Sequence, residues 1–193
     1  GDWAGIYGDF LSKISLDSVV VAYGGGGTRV DGDFRSFNAV ETRQGDLRIA
    51  DSLFEFNEDG LSPGLSPTDS RFGRGFNEAG TIFVRGAQPI IVDNEIRDGL
   101  GPAININANA LNHFNVSDRG RSTGELDLFT GGQGNQGALI NGNRLSNNAT
   151  NGMVVRGETL TTQVVFDDTD IVHVIEDTIY VPDFHTFGGL RLE

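Results

Sequence analysis

The chain has 193 residues, enough for one domain with a buried core. Its 27 acidic residues outnumber its 14 basic residues, and the formal net charge of −13 argues against nucleic acid or an anionic membrane surface as a partner. The lack of cysteine excludes disulfides and cysteine metal sites, and no apolar run is long enough to be inserted across a membrane. The 28 glycines and 5 prolines favour short strands joined by tight turns.

Five segments in chain order share one pattern: apolar residues, a small polar anchor, and an apolar residue two positions later. The anchors are Ser18, Ser52, Asn94, Asn143 and Thr178. They are separated by 34, 42, 49 and 35 residues, and an irregular interval around a constant pattern indicates similar turns that carry loops of different length. Anchors stacked in a ladder would hydrogen-bond to one another and to the backbone of the corner.

A second set of short apolar runs falls between these anchors, at residues 3–7, 37–40, 81–84, 103–106, 153–155 and 190–192. Runs of this length bounded by Gly, Asn or Asp predict strands rather than helices. Together the two sets predict an all-β chain that forms a single right-handed parallel β-helix, a solenoid of about five to six coils over residues 1–193. The alternative fold is an antiparallel β-sandwich, which also has short strands and regular turns.

The unit apolar-x-apolar-x-Asn/Ser-x-apolar, followed after a few residues by glycine, resembles the pectate-lyase-like right-handed β-helix superfamily. It is most similar to the β-helix regions of very large secreted bacterial surface proteins. The resemblance covers nearly the whole chain and implies a fold rather than a chemistry. We therefore expect a secreted or cell-surface location, and a chain that is a fragment of a longer one, stacked on flanking coils or on another copy.

Insertions near residues 61–77 and 108–137 interrupt the repeat, and loops of this length are usually functional or disordered. Apolar residues in the second insertion predict that it folds back on the flank of the coil. Aromatic residues in the two insertions would either contact a polysaccharide or pin the loops down. They are Phe72, Phe76, Phe114 and Phe129.

The densest carboxylate group consists of Asp167, Asp168 and Asp170. Three carboxylates in four residues would supply oxygen ligands to Ca²⁺ if the loop curls around the ion. The alternative is a solvated turn that leads into the next strand. The sequence thus predicts calcium as the one candidate cofactor.

Asp183 and His185 would face the same side of an extended segment, as a base with its orienting carboxylate, as half of a metal site, or as a corner without chemistry. The resemblance implies what an enzyme here would need: a lyase uses calcium-binding aspartates with an arginine or lysine base, and Arg156 is such an arginine, together with Arg85 and Arg97. The polygalacturonase motifs Asn-Thr-Asp, Gly-His-Gly and Arg-Ile-Lys are missing. The catalytic candidates are Asp167, Asp168, Asp183, His185 and Arg156.

These observations favour a non-catalytic structural or adhesive module whose partner is a polysaccharide or another surface macromolecule. The alternative is a polysaccharide lyase or glycoside hydrolase that acts on a groove along one sheet.

Overall fold

The structure is a computed structural model, and it describes residues 1–27, 36–61, 77–118, 120, 129–130, 134–167, 171–183 and 188–193. This part of the chain contains sixteen β-strands and one short 3-10 helix, at Ala108–Leu111, and no α-helix. All strand pairs among the named strands are parallel. The prediction of an all-β chain is confirmed in the described residues, and the parallel pairing contradicts the antiparallel sandwich.

The strands form three stacked sheets and one strand pair. Sheet 1 consists, in spatial order, of β1 (Ile6–Gly8), β4 (Val40–Arg43), β7 (Ile82–Arg85), β10 (Pro102–Asn107), β13 (Thr150–Arg156) and β15 (His173–Ile175). Sheet 2 consists of β2 (Lys13–Asp17), β5 (Asp46–Ala50), β8 (Ile90–Val92) and β11 (Leu139–Asn141). Sheet 3 consists of β3 (Val20–Ala22), β6 (Leu53–Glu55), β9 (Glu95–Arg97) and β12 (Arg144–Ser146). The separate pair is β14 (Gln163–Phe166) with β16 (Gly189–Leu192).

From β1 to β12 the chain visits sheets 1, 2 and 3 in the same order four times, and each visit adds one strand to each sheet. We call each such set of three strands a layer. Side chains at equivalent positions of successive layers stack in columns because the strands are parallel and in register. Parallel strands stacked in this way fit a parallel β-helix.

The core lies between the three sheets and is built from these columns. Ile49, Ile91 and Ile140 occupy one column in sheet 2, and Phe54 and Ile96 occupy another in sheet 3. All five side chains are 0% exposed. Complete burial of each contributes about 1.5–3 kcal/mol, so the inward columns are the main source of stability.

The corner between sheets 2 and 3 always contains two residues, and the first has a left-handed backbone. The residues at this first position are Ser18, Asp51, Asp93 and Gly142, with φ of 54°, 50°, 54° and 71°. At Gly142 an added Cβ would collide with the Asp93 side chain, so glycine is required there for space as well as for backbone geometry.

The second corner position holds a polar ladder. The Ser52 backbone N–H donates to Asn94 Oδ1 at 3.0 Å, and Asn94 Nδ2 donates to Asn143 Oδ1 at 3.0 Å. The same amide groups also donate to backbone carbonyls on the neighbouring layer, from Asn94 to Ile49 at 3.1 Å and from Asn143 to Ile91 at 2.7 Å. The three side chains therefore satisfy the backbone groups that the turn leaves without strand partners.

Two of the predicted anchors lie elsewhere. Ser18 is one residue out of register: the Val19 N–H donates to the Ser52 hydroxyl oxygen at 3.2 Å, so Val19 occupies the ladder position and Ser18 the left-handed one. The segment that contains Thr178 adds its strand β15 to sheet 1, next to β13, and not to sheet 3. The run at 190–192 likewise pairs with β14 instead of joining sheet 1.

The insertion after β10 covers the outer face of sheet 2. Ala50, Ile90, Val92 and Leu139 form an apolar cluster on that face, and Val116 and Phe129 of the insertion pack against it. We call this cluster the outer apolar patch. Of the other insertion, residues 62–76 lie outside the described part.

A buried ion pair fastens the same insertion to sheet 2. Arg48 of β5 donates from Nε and Nη2 to the two carboxylate oxygens of Asp118, at 2.7 and 2.9 Å, and from Nη1 to Asp17 at 2.8 Å. The Asp118 side chain is 0% exposed, and its oxygens also accept the backbone N–H groups of Gly120 and Phe129.

Candidate functional site

The outer face of sheet 1 carries polar and charged side chains that are buried. Strand alternation and register place Glu41, Phe83, Asn105 and Val154 in one column on this face, between the inward columns of the same strands. Each of the four is 2% exposed. A buried carboxylate and a buried amide in one column, with Phe83 between them, distinguish this face as a candidate site.

Arg156, at the end of β13, completes the cluster. Its guanidinium carbon lies 4.1 Å from the centre of the Phe83 ring, and it donates to Asn105 Oδ1 and, at 2.6 Å, to the Val84 carbonyl. Burial lowers the pKa of Arg156 to about 10, against the opposing attraction of Glu78. The guanidinium remains charged near neutral pH but is less firmly protonated than an exposed arginine.

Glu78 lies within electrostatic range of Arg156, and its pKa is raised by burial although Arg156 acts to lower it. Asn38 holds the backbone next to it, because its Nδ2 donates to the Glu78 carbonyl oxygen at 2.9 Å. A carboxyl with a raised pKa near an arginine with a lowered pKa is a combination found where protons are transferred. Such a pair favours general acid–base chemistry over other reaction classes as the candidate activity of this face.

The same contacts also explain Arg156 as a structural residue. It is 8% exposed, stacks on an aromatic ring and donates to one acceptor on β10 and one on β7. A base that abstracts a substrate proton must come within hydrogen-bond reach of it. In the observed packing, the guanidinium donates to groups of sheet 1 itself.

Of the remaining catalytic candidates, Asp167 and Asp183 lie among the described residues. Asp167 follows β14, is 8% exposed and accepts the Gln136 N–H at 2.6 Å, so its carboxylate holds the chain that leads into β11. Asp183 is exposed. Asp168 and His185 lie outside the described residues.

The calcium prediction falls largely on undescribed residues, because Asp168 and Asp170 are both outside the described ranges. Within those ranges, no group of three or more His, Asp or Glu side chains is arranged to hold a metal ion. Asp167 is described, and its carboxylate accepts the Gln136 backbone N–H.

The other two strand arginines divide between two sheets. Arg97 lies on sheet 3, where it pairs with Glu55 at 2.7 Å and with Glu95 at 3.1 Å. Arg85 lies opposite Arg43 in sheet 1. The register places Arg85 on the same face of sheet 1 as Arg156, where its positive charge helps to lower the pKa of Arg156.

Of the described insertion aromatics, one packs on a sheet and the other is exposed. Phe129 packs on the outer apolar patch and so pins the insertion down. Phe114 is 64% exposed and its ring lies 4.3 Å from that of His113. Phe72 and Phe76 lie outside the described residues.

Sequence reasoning missed a second polar ladder at the corner between sheets 3 and 1. Asn57 Oδ1 accepts the Gly24 N–H at 2.9 Å, and Asn148 Oδ1 accepts the Gly99 N–H at 3.0 Å. Each amide also donates to the layer below, Asn57 to Val21 and Asn148 to Ile96. The available signal was the asparagine directly after a left-handed residue, as in Asn147-Asn148.

Among the described residues, no helix has the length and apolarity needed to cross a membrane. Comparison with protein-family models, with curated proteins and with solved structures found no match. The sheet geometry is compatible with a parallel β-helix and carries the fold assignment by itself.

His173 is a partly buried titratable group on β15. It lies opposite Met153 in the inward column of sheet 1, and its ring stacks on Phe166 at 4.8 Å with planes 9° apart. Its Nε2 is buried, with no hydrogen-bond partner in the described part of the chain. Burial lowers the pKa of His173 below its usual value of 6.5.

We expect His173 to make the fold less stable in mild acid. Because the folded pKa lies below 6.5, the unfolded chain takes up the proton first, and stability falls as pH drops through 6.5 toward the folded pKa. Urea denaturation of wild type and His173→Phe between pH 7.5 and 5 measures this contribution. An equal loss of stability in both proteins would contradict the assignment.

Proposed function

We propose that residues 1–193 form one right-handed parallel β-helix of the pectate-lyase-like type, with about five to six coils. Crossovers between parallel strands of one sheet are right-handed in about 98% of cases, which supports the handedness. The six strands of sheet 1 support the number of coils. In a long surface protein, such a solenoid stacks on flanking coils or on another copy through its terminal strands.

The function that the geometry supports best is a non-catalytic structural or adhesive module of a secreted or cell-surface bacterial protein. One observation carries it: the charged side chains best suited to catalysis are engaged in holding the fold. Arg156 stacks on Phe83 and donates to Asn105 and to the Val84 carbonyl, and Asp167 accepts the Gln136 backbone N–H. The acidic charge of the chain supports a partner that is neither nucleic acid nor an anionic membrane.

A panel of uronic-acid and neutral polysaccharides, incubated with the protein with Ca²⁺ and with chelator, tests this proposal. We expect retention of the protein on one or more insoluble polysaccharides, without release of reducing ends or unsaturated products. Turnover of any polysaccharide would overturn the non-catalytic assignment. A chelator-dependent drop in melting temperature would assign structural calcium to the segment around Asp167, Asp168 and Asp170.

The second candidate is a polysaccharide lyase or hydrolase that acts on the outer face of sheet 1. The raised pKa of Glu78 beside the lowered pKa of Arg156 favours it. In that case the panel shows turnover, and Arg156→Lys, which keeps the positive charge, retains more activity than Arg156→Ala. Equal loss in the two variants would assign Arg156 to folding instead.

A further inference from the structure

Two aromatic residues have a backbone conformation that bulky side chains disfavour. Tyr23 and Phe56 directly follow β3 and β6, with φ of 56° and 53°. The equivalent positions after β9 and β12 hold Asp98 and Asn147, with φ of 53° and 54°. Aspartate and asparagine tolerate the left-handed region better than Tyr or Phe do. Backbone geometry alone would favour Asn or Asp in all four layers, so the two rings require another explanation.

The two rings form one exposed apolar surface. Their centroids are 5.5 Å apart with planes 13° from parallel, and the residues are 52% and 47% exposed. Leu100, at the same corner one layer further on, is 65% exposed. We call the surface made by Tyr23 and Phe56 the aromatic strip.

The backbone beneath the aromatic strip is fixed. The Gly24 N–H donates to Asn57 Oδ1 at 2.9 Å, and Asn57 Nδ2 donates to the Val21 carbonyl at 2.9 Å. The residues that follow Tyr23 and Phe56 are therefore bonded to each other across the layers. Binding of a ligand to rings held in this way costs little conformational entropy, because the rings are already ordered.

The charged groups around the aromatic strip already form ion pairs, and carboxylates outnumber cations among them. Arg97 lies 2.7 Å from Glu55, 3.1 Å from Glu95 and 3.9 Å from Asp98, and Glu58 lies 3.3 Å from the chain's amino group. An anionic ligand, such as a phosphate or a uronic-acid chain, would be repelled by this surplus of carboxylates. Neutral hydroxyl groups would find acceptors in the same oxygens.

We propose that the aromatic strip binds a neutral polysaccharide. The C–H face of a pyranose ring packs against Tyr23 and Phe56, and sugar hydroxyls donate to the carboxylates of Glu55 and Asp98. Layers spaced about 4.8 Å apart present equivalent side chains at a regular interval, which suits a chain of repeating units. The inference rests on the proposed adhesive function and names its ligand class and its site.

The test replaces each ring with the residue that the fourth layer uses at the same position. Tyr23→Asn and Phe56→Asn are compared with wild type by calorimetric titration of soluble neutral glucan, xylan and mannan fragments, with polygalacturonate alongside. We expect each variant to weaken binding of a neutral fragment by about fivefold to tenfold. Melting temperatures should stay equal or rise, because asparagine relieves the left-handed strain. Phe114→Asn, which removes an exposed ring elsewhere, should bind like wild type.

The outcomes separate this inference from the proposed function. If wild type binds neutral fragments and both variants bind equally well, the strip is not the site, although the adhesive function stands. If melting temperature falls in both variants, the rings are a structural stack and the inference fails. The inference is also overturned if wild type binds no neutral fragment. Self-association of wild type that both variants abolish would overturn it too. Turnover by wild type contradicts the proposed function alone.

Discussion

Replacing Asp118 with alanine is expected to lower the free energy of unfolding by about 3–5 kcal/mol. The carboxylate is fully buried and accepts two hydrogen bonds from Arg48, whose side chain is 7% exposed. Its removal leaves two guanidinium N–H groups buried without acceptors, while Asp17 holds the third nitrogen at 2.8 Å. A buried charge that loses its partner keeps its desolvation cost, and urea denaturation measures the difference.

The same substitution should also loosen the insertion from sheet 2. Asp118 accepts the backbone N–H of Phe129, whose ring helps to cover the outer apolar patch. The variant is therefore expected to bind a hydrophobic dye that wild type does not bind. Lys13→Ala is the control, because Lys13 and Asp46 lie 4.0 Å apart and are 83% and 75% exposed. Loss of such a pair should change stability by less than about 1 kcal/mol, and an equal effect of the two substitutions would contradict the prediction.

The pH dependence of the ion pair has a defined sign. Burial alone would raise the pKa of Asp118, but hydrogen bonds from Arg48 and from two backbone N–H groups outweigh it and lower the pKa from 3.8 to about 2. The pair therefore contributes its full stabilisation above pH 3.8 and loses it as pH falls toward 2. Asp118→Asn should remove that part of the acid dependence.

Asn94→Ala is expected to cost on the order of 3–5 kcal/mol, because one side chain satisfies buried groups in two neighbouring layers. Its amide accepts the Ser52 N–H at 3.0 Å and donates to the Ile49 carbonyl at 3.1 Å and to Asn143 at 3.0 Å. Alanine leaves all three unsatisfied at a position that is 1% exposed. Thermal and urea denaturation measure the loss.

Asn94→Ser is the milder companion in case the alanine variant does not fold. Ser52 fills the same position one layer earlier, and its hydroxyl oxygen accepts the Val19 N–H at 3.2 Å. Serine should therefore recover part of the ladder and about half of the lost stability. Asn115→Ala, at an exposed position, should behave like wild type. An Asn94→Ala protein as stable as Asn115→Ala would show that the ladder carries no stability.

The sequence pattern was sufficient to align Ser52, Asn94 and Asn143, because the corner that holds them has the same length in each layer. It was insufficient at Ser18, since the two corner positions both accept small polar residues: Asp51 and Asp93 occupy the left-handed position directly before Ser52 and Asn94. Without an asparagine after Ser18, the pattern offers no way to choose between the two positions.

The placement of the Thr178 segment failed for a different physical reason. Strands of sheets 1 and 3 both show buried apolar residues flanked by polar ones, so pattern alone does not assign a strand to a sheet. The assignment depends on the length and path of the preceding loop, which hydrophobic pattern does not encode. In the structure, the pairing of His173 with Met153 assigns β15 to sheet 1.

The candidate site was harder to predict than the fold. Arg156 was identified from its position in an apolar run, but its packing on Phe83 joins strands 73 residues apart in the chain, as the numbering shows. The pair of Arg48 and Asp118 spans 70 residues. Contacts of this kind arise from the way loops fold over the sheets, and no local periodicity specifies them.

The constant length of the corner between sheets 2 and 3 has a consequence for protein engineering. The connections from sheet 3 to sheet 1 range from residues 147–149 to residues 56–81, so that edge of the molecule already accommodates extra chain of very different lengths. One added residue at Asp93-Asn94 would instead turn every following side chain of the strand to the opposite face. Foreign peptides intended for display should therefore be grafted into the connections from sheet 3 to sheet 1, where added length leaves the register intact.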